Sequence, residues 1–276
     1  MEVDQTIKSP NRSLLSFMFA IPIAILGGLI GLGGAEFRLP VLAGPLRYTA
    51  KQAVPLNLSV SLITVITSLL IRANTLSLDT ISPLYIPILA LIAGAVFAAF
   101  FGAALGSRLS EQRVEQIILV LLLAIGIALI IEAFIPQTGT GFVPVENVWR
   151  ITAGILFGLV IGLVSSLLGV AGGELIIPTL IFAFGADVKV AGTASLFISL
   201  PTIMVGLFRY ARRGAFTDRT PLRETVAPMG VGSVIGALIG GLLVGFIPAP
   251  ILKFGLGIIL SVSALRIFRS TRSHPA

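Results

Sequence analysis

Six stretches of this chain run for about the thickness of a bilayer without one charged residue, and nothing else in it constrains the fold as tightly. They are Ser13–Ala35, Gln52–Ile71, Thr80–Ser107, Ile151–Gly173, Val190–Phe208 and Thr225–Leu252. A helix needs roughly 20 apolar residues to cross a hydrocarbon core. Inside lipid the backbone must satisfy its own hydrogen bonds, which leaves helices or closed barrels. Runs of this length predict helices. Two further apolar segments, Val114–Ile135 and Ile251–Phe268, are flanked or interrupted by single charges. The expected fold is therefore an all-α, polytopic membrane protein with eight long segments. Charged residues make up 11% of the chain and mean hydropathy is +1.05, against about 25% charge in an ordinary soluble domain. No polar stretch is long enough to build a separate soluble core. The first run exceeds the usual apolar core of a signal peptide and has an internal counterpart, so it is expected to be a retained span.

That counterpart belongs to a duplication. Shifting the sequence by 138 positions, half of its 276 residues, lays LIGLGGAEFRLPVL (Leu29–Leu42) over LLGVAGGELIIPTL (Leu167–Leu180). Gly31 meets Gly169, Gly34 meets Gly172, Glu36 meets Glu174 and Pro40 meets Pro178. The register continues through Lys51/Lys189, Leu58/Leu196, Ser61/Ser199 and Thr64/Thr202. Two transmembrane repeats are expected, over residues 12–136 and 150–272, joined by a connection over 137–149.

Each repeat holds four long spans and one short apolar stretch, Phe37–Leu46 or Leu175–Ala186. Helices of that length cover about half of a core roughly 30 Å thick. They are either re-entrant or they complete a return across the membrane. Basic residues favour the return. If the short stretches cross, only Arg38, Arg72, Arg150, Lys189 and Lys253 of the 19 basic residues fall outside, with both termini cytoplasmic. If they do not, more of the positive charge lies outside. Five elements per repeat is an odd number, so the halves are expected to be inverted, the recurrent plan of secondary transporters. Gly94, Ala98, Gly102 and Gly106, and likewise Gly232, Gly236 and Gly240, recur every four residues and read as helix-packing stripes. Trp149 is a candidate interfacial anchor.

The glycine motifs carry the chemistry. Gly31, Gly33 and Gly34 in one copy, and Gly169, Gly172 and Gly173 in the other, each precede a glutamate and a proline. Clustered glycines let a helix unwind, and Pro40 and Pro178 lack a backbone donor, so Gly31, Pro40, Gly169 and Pro178 mark expected helix breaks. Such a break is tolerable only within protein or facing a hydrated cavity. A new helix start aims N–H groups at one spot and suits an anion. Glu36 and Glu174 are carboxyls at membrane depth, functional candidates by default. They either carry protons or accept hydrogen bonds that hold the broken backbone. Arg38, with Ile176 as its counterpart, either neutralises a glutamate or marks the interface. Asn57, Thr193 and Ser195 lie just after the short helices and either line a solute path or tie helices together. The candidate binding residues are Gly33, Gly34, Glu36, Arg38, Asn57, Gly172, Gly173, Glu174, Thr193 and Ser195.

What is missing narrows the function. There is no cysteine, and the one histidine is His274. Neither thiol chemistry nor a Cys/His metal site is available, and no catalytic residue, metal site or cofactor is expected. The net charge of +7 reflects cytoplasmic loops rather than a nucleic-acid surface.

At these motifs the chain resembles the TauE/SafE sulfite exporter family. The resemblance rests on Gly33-Gly34-Ala35-Glu36-Phe37-Arg38-Leu39-Pro40, on Ala171-Gly172-Gly173-Glu174-Leu175-Ile176-Ile177-Pro178, and on Ala191-Gly192-Thr193-Ala194-Ser195. Ala35 and Ala171 interrupt the family's glycine triplet, and Ala53-Val54-Pro55-Leu56-Asn57 replaces its hydroxyl-bearing element in the first half. The half-sites are therefore chemically unequal. The resemblance implies a secondary transporter of a small anion, such as sulfite, a sulfonate or a related sulfur-containing or organic anion. It would sit as a multi-pass protein in the cytoplasmic (inner) membrane, with protons as the candidate coupling ion. A passive anion channel and an intramembrane enzyme are the alternatives, and a homo-oligomer is compatible with the sequence.

Overall fold

The structure is a computed structural model describing residues 9–75, 78–105, 123–124, 126–131, 133–134, 141–168 and 172–272. Most of the described residues are helical, and no strand occurs among them. In the first half, α1 (Ser9–Ile30), α2 (Ala35–Ala43), α3 (Ala50–Thr75) and α4 (Tyr85–Leu105) follow one another, with a 3-10 segment at Leu78–Leu84. In the second come α5 (Asn147–Leu168), α6 (Gly173–Phe184), α7 (Val188–Arg212), α8 (Ala227–Leu243) and α9 (Ala249–Arg272). A turn of π-helix at Leu222–Val226 leads into α8.

Among the described residues, six helical stretches are long and apolar enough to cross a membrane: Arg12–Ile30, Gln52–Asn74, Ile81–Phe100, Asn147–Ser165, Val188–Arg212 and Leu222–Leu243. Expected segment Ile251–Phe268 is helical within α9. Most of Val114–Ile135 lies outside the described residues, though 126–131 are helical. The short helices α2 and α6 begin two residues earlier than hydropathy suggests. Their N-caps are Gly34 and Gly172, at φ 75° and φ 79°, a left-handed conformation that costs most other residues roughly 1–2 kcal/mol. A glutamate in a first turn is compatible with the positive end of the helix dipole. The helix therefore takes in the charge that seemed to bound it.

Hydrogen bonds between elements fix the directions of the helices. Arg12 of α1 donates to the Leu46 carbonyl just before α3, at 3.3 Å. At the other end, Arg72 of α3 donates to the Gly28 and Leu29 carbonyls that close α1. α1 and α3 run the same way, and α2 is the return between them. In the second half, Phe142 and Val143 N–H bond to the Phe182 and Ala183 carbonyls at 3.0 and 2.9 Å. The start of α5 thus lies beside the start of α7, and those two helices also run the same way. α3 and α7, which match in the duplication, are antiparallel: Arg72 bonds to Thr193, while Leu58 packs against Gly206.

Packing interlaces the halves. Gly232, Gly236 and Gly240 of α8 advance in step with the Phe17, Ile21 and Ile25 carbonyls of α1, and a methyl on any of them would run into those oxygens. Gly94 of α4 meets Ile155 of α5, and Gly158 and Gly162 meet Leu91 and Ala95. The small-residue stripes therefore serve close backbone approach. Their effect is that the first helix of each half packs on the fourth helix of the other.

Candidate functional site

Both helix breaks sit where the halves meet. α1 stops at Ile30, and Gly31, Gly33 and Gly34 all have positive φ before α2 begins. The neighbouring backbone leaves no room for side chains. A methyl at Gly31 would strike Gly192 of α7, and one at Gly173 would lie 3.0 Å from the Leu32 carbonyl and 3.3 Å from Ser195 Oγ. The first break therefore abuts the second. Both helices start from a glycine N-cap that makes no side-chain cap bond, so the first-turn N–H groups of α2 and α6 receive no acceptor from the capping position. Of the second break's expected markers, Gly169 lies outside the described residues.

An unwound backbone needs donors for its carbonyls, and the candidate polar residues supply them. The fully buried Arg38 guanidinium donates to the Gly33 carbonyl, to Ser61 Oγ at 3.1 Å, to Thr64 Oγ1 at 3.3 Å and to the Asn57 carbonyl at 3.4 Å. Asn57 Nδ2 donates to the Ala35 carbonyl at 3.0 Å. Ser195, reaching from the other half, donates to the Gly31 carbonyl at 3.1 Å. Thr193 Oγ1 bonds back to the Lys189 carbonyl at 2.9 Å. Arg38, Asn57 and Ser195 thus converge on the first break and hold its shape. Arg38 is no interfacial residue.

The carboxyls lie in the same region. Glu36 and Glu174 are close enough to repel one another, and Glu36 also feels Arg38. Glu36 Oε1 is buried and has no partner among the described residues. Glu174, on the first turn of α6, is 6% exposed. The prolines act differently from expectation. Pro40 and Pro178 lie inside α2 and α6, not at the breaks. A proline withholds the N–H that would bond four residues back, and at these positions the deprived carbonyls are those of Glu36 and Glu174.

Sequence reasoning missed Arg72 as a site residue and counted it only among the basic residues that fall outside. The residue is fully buried, with Nε and Nη2 on the Gly28 carbonyl at 3.2 and 3.0 Å and Nη2 on Leu29 at 2.8 Å. Its Nη1 donates to Thr193 Oγ1 at 2.9 Å. The available signal was the demand: an α1 that ends inside protein leaves carbonyls needing donors. Lys189 Nζ reaches the Gly245 carbonyl at 3.3 Å, and the Lys51 side chain lies outside the described residues.

The family described as "Sulfite exporter TauE/SafE" matches residues 2–129 and 153–276. A protein of Methanocaldococcus jannaschii named as a probable membrane transporter is 30% identical over 122 residues, covering 42% of this chain and 44% of the relative. The chain thus spans less than half the length of that curated relative. No solved structure matches.

Proposed function

The chain belongs to the TauE/SafE sulfite exporter family of membrane transporters, and on that premise we propose that it carries a small anion across the cytoplasmic membrane as a secondary transporter. A transporter rather than an enzyme follows from the family. The solute class is sulfite, a sulfonate or a related sulfur-containing or organic anion. The observation that carries the reading is the contact between the breaks: Leu32 packs on Gly173, and Ser195 of the second half is bonded to Gly31 of the first. Uncapped helix starts that meet at one place provide N–H groups and positive dipole ends for an anion. In this reading Gly33, Gly34, Gly172 and Gly173 let the backbone approach the solute. Arg38, Asn57, Thr193 and Ser195 hold the cradle, and Glu36 and Glu174 exchange protons.

Antiparallel α3 and α7 support two inverted repeats, over residues 12–136 and 150–272, related about the breaks. In this reading both termini lie on the cytoplasmic side, as the distribution of basic residues favours. Charge balance supports proton coupling. At the breaks two guanidinium groups, Arg38 and Arg72, stand against two carboxyls, Glu36 and Glu174, while a further buried cation, Lys253, belongs to α9. A further negative charge in such a region is costly unless it is neutralised, and a proton on a glutamate restores neutrality. One monovalent anion would then travel with one proton.

The test is counterflow in proteoliposomes of purified protein, with sulfite, an alkyl sulfonate and a carboxylate as solutes. Saturable uptake that follows a pH gradient is expected. Flux that rises linearly with concentration and ignores the gradient would favour the channel instead.

A further inference from the structure

Arg72 has no part in the reading so far beyond its charge, yet its bonding is the most extensive of any side chain described. Its three guanidinium nitrogens reach carbonyls of Gly28, Leu29 and Lys189 and the hydroxyl of Thr193. Two of these partners are in the last turn of α1, and two are in the first turns of α7. They belong to different halves of the duplication.

We propose that Arg72 is a positioning residue, a clamp that ties the end of α1 to the start of α7 and so closes the shared site towards the face where α1 ends. This rests on the reading of the two breaks as one site. Three observations support it. First, the clamp lies directly over the break: Gly192 touches the Ile30 carbonyl, and a methyl on Gly192 would lie 3.1 Å from Arg72 Nη1. Second, its bonds are of a kind that water can replace. Four of the five go to backbone carbonyls, and the cation sits at the negative end of α1, where the dipole favours it. Third, the opposite end of the same helix pair is built otherwise. There Leu58 packs on Gly206, and Leu58 and Ile203 belong to an apolar cluster that runs along both helices as far as Leu69 and Leu196. The duplication places Tyr210 opposite Arg72, and a phenol has one O–H to donate against the five N–H groups of a guanidinium. The two ends of the pathway are thus closed by different means, a polar clamp at one and apolar packing at the other. Releasing the clamp opens the break from one face only.

The chain's lack of cysteine makes the test clean. Ser195→Cys places a single thiol at the break, and a membrane-impermeant thiol reagent is applied to reconstituted protein from each face in turn. With Arg72 intact, labelling is slow from the face where α1 ends. In Arg72→Gln it accelerates at least tenfold from that face and stays unchanged from the other. An unchanged rate would overturn the proposal, as would equal acceleration from both faces, which marks general loosening. Thr193→Val gives a second reading by removing one partner and keeping the guanidinium. It is expected to speed labelling from the same face, and to add nothing in the Arg72→Gln background. Additive effects would contradict a common clamp. Labelling needs no solute, so a failure to find anion flux would sink the transport reading and leave this result standing.

Discussion

At the scale of residues, the site is built by matching stranded carbonyls with buried donors. Arg38 illustrates the energetics. Replacing it with Met would leave the Gly33 carbonyl and Ser61 without their donor, while Thr64 keeps its bond to the Val60 carbonyl, and each unsatisfied buried group costs about 1–3 kcal/mol. Arg38→Met is therefore expected to destabilise the protein by about 3 kcal/mol or more in detergent unfolding experiments. Ser195→Ala removes one neutral bond to Gly31 and is expected to cost about 1 kcal/mol. Near-equal losses for the two would contradict the bracing role. The chemistry of these residues was legible in the sequence, since Asn57, Arg38 and Ser195 stood out as polar groups near a glycine break. Their partners were not, because a one-dimensional pattern cannot say which carbonyl an arginine will meet. Arg72 was lost for that reason: at the end of an apolar run, a buried donor and a loop cation look alike.

The elements owe their bounds and pairings to glycine. Gly34 and Gly172 start α2 and α6 from left-handed backbone, while Gly232, Gly236 and Gly240 let α8 lie against the backbone of α1. These roles separate experimentally. Gly236→Val forces a side chain against the Ile21 carbonyl and Ala24, and overpacking of this kind typically costs about 1–3 kcal/mol. It is expected to lower the unfolding midpoint and to leave the solute specificity of the surviving protein unaltered. A changed preference among anions would show that the stripe touches the solute path. The packing role of these stripes could be read from four-residue spacing alone. Which helix each stripe would meet could not, since a small-residue face specifies close approach and names no partner. The prolines were placed one element too early, because a helix interior and a helix break both follow glycine in the sequence.

At the scale of the whole molecule, duplication becomes function when matching helices oppose one another across one site. The counted charges favoured inverted halves, and the antiparallel α3 and α7 support the same arrangement through contacts that charge counting never used. Cross-linking can check it in this cysteine-free chain. Leu58→Cys with Gly206→Cys is expected to join under a short bifunctional thiol reagent, whereas Leu58→Cys with Val190→Cys is not. The reverse outcome would mean that the halves run in parallel. The interlacing of first and fourth helices was hidden in the sequence, because it depends on pairings between the halves, about 60 residues apart for α4 with α5 and more than 200 for α1 with α8. The central claim is that two breaks make one anion site. Its most direct test is anion counterflow in proteoliposomes bearing Gly34→Leu or Gly172→Leu, each confirmed as folded and monodisperse. Either change alone is expected to abolish saturable flux, and wild-type flux in either folded variant would contradict the account.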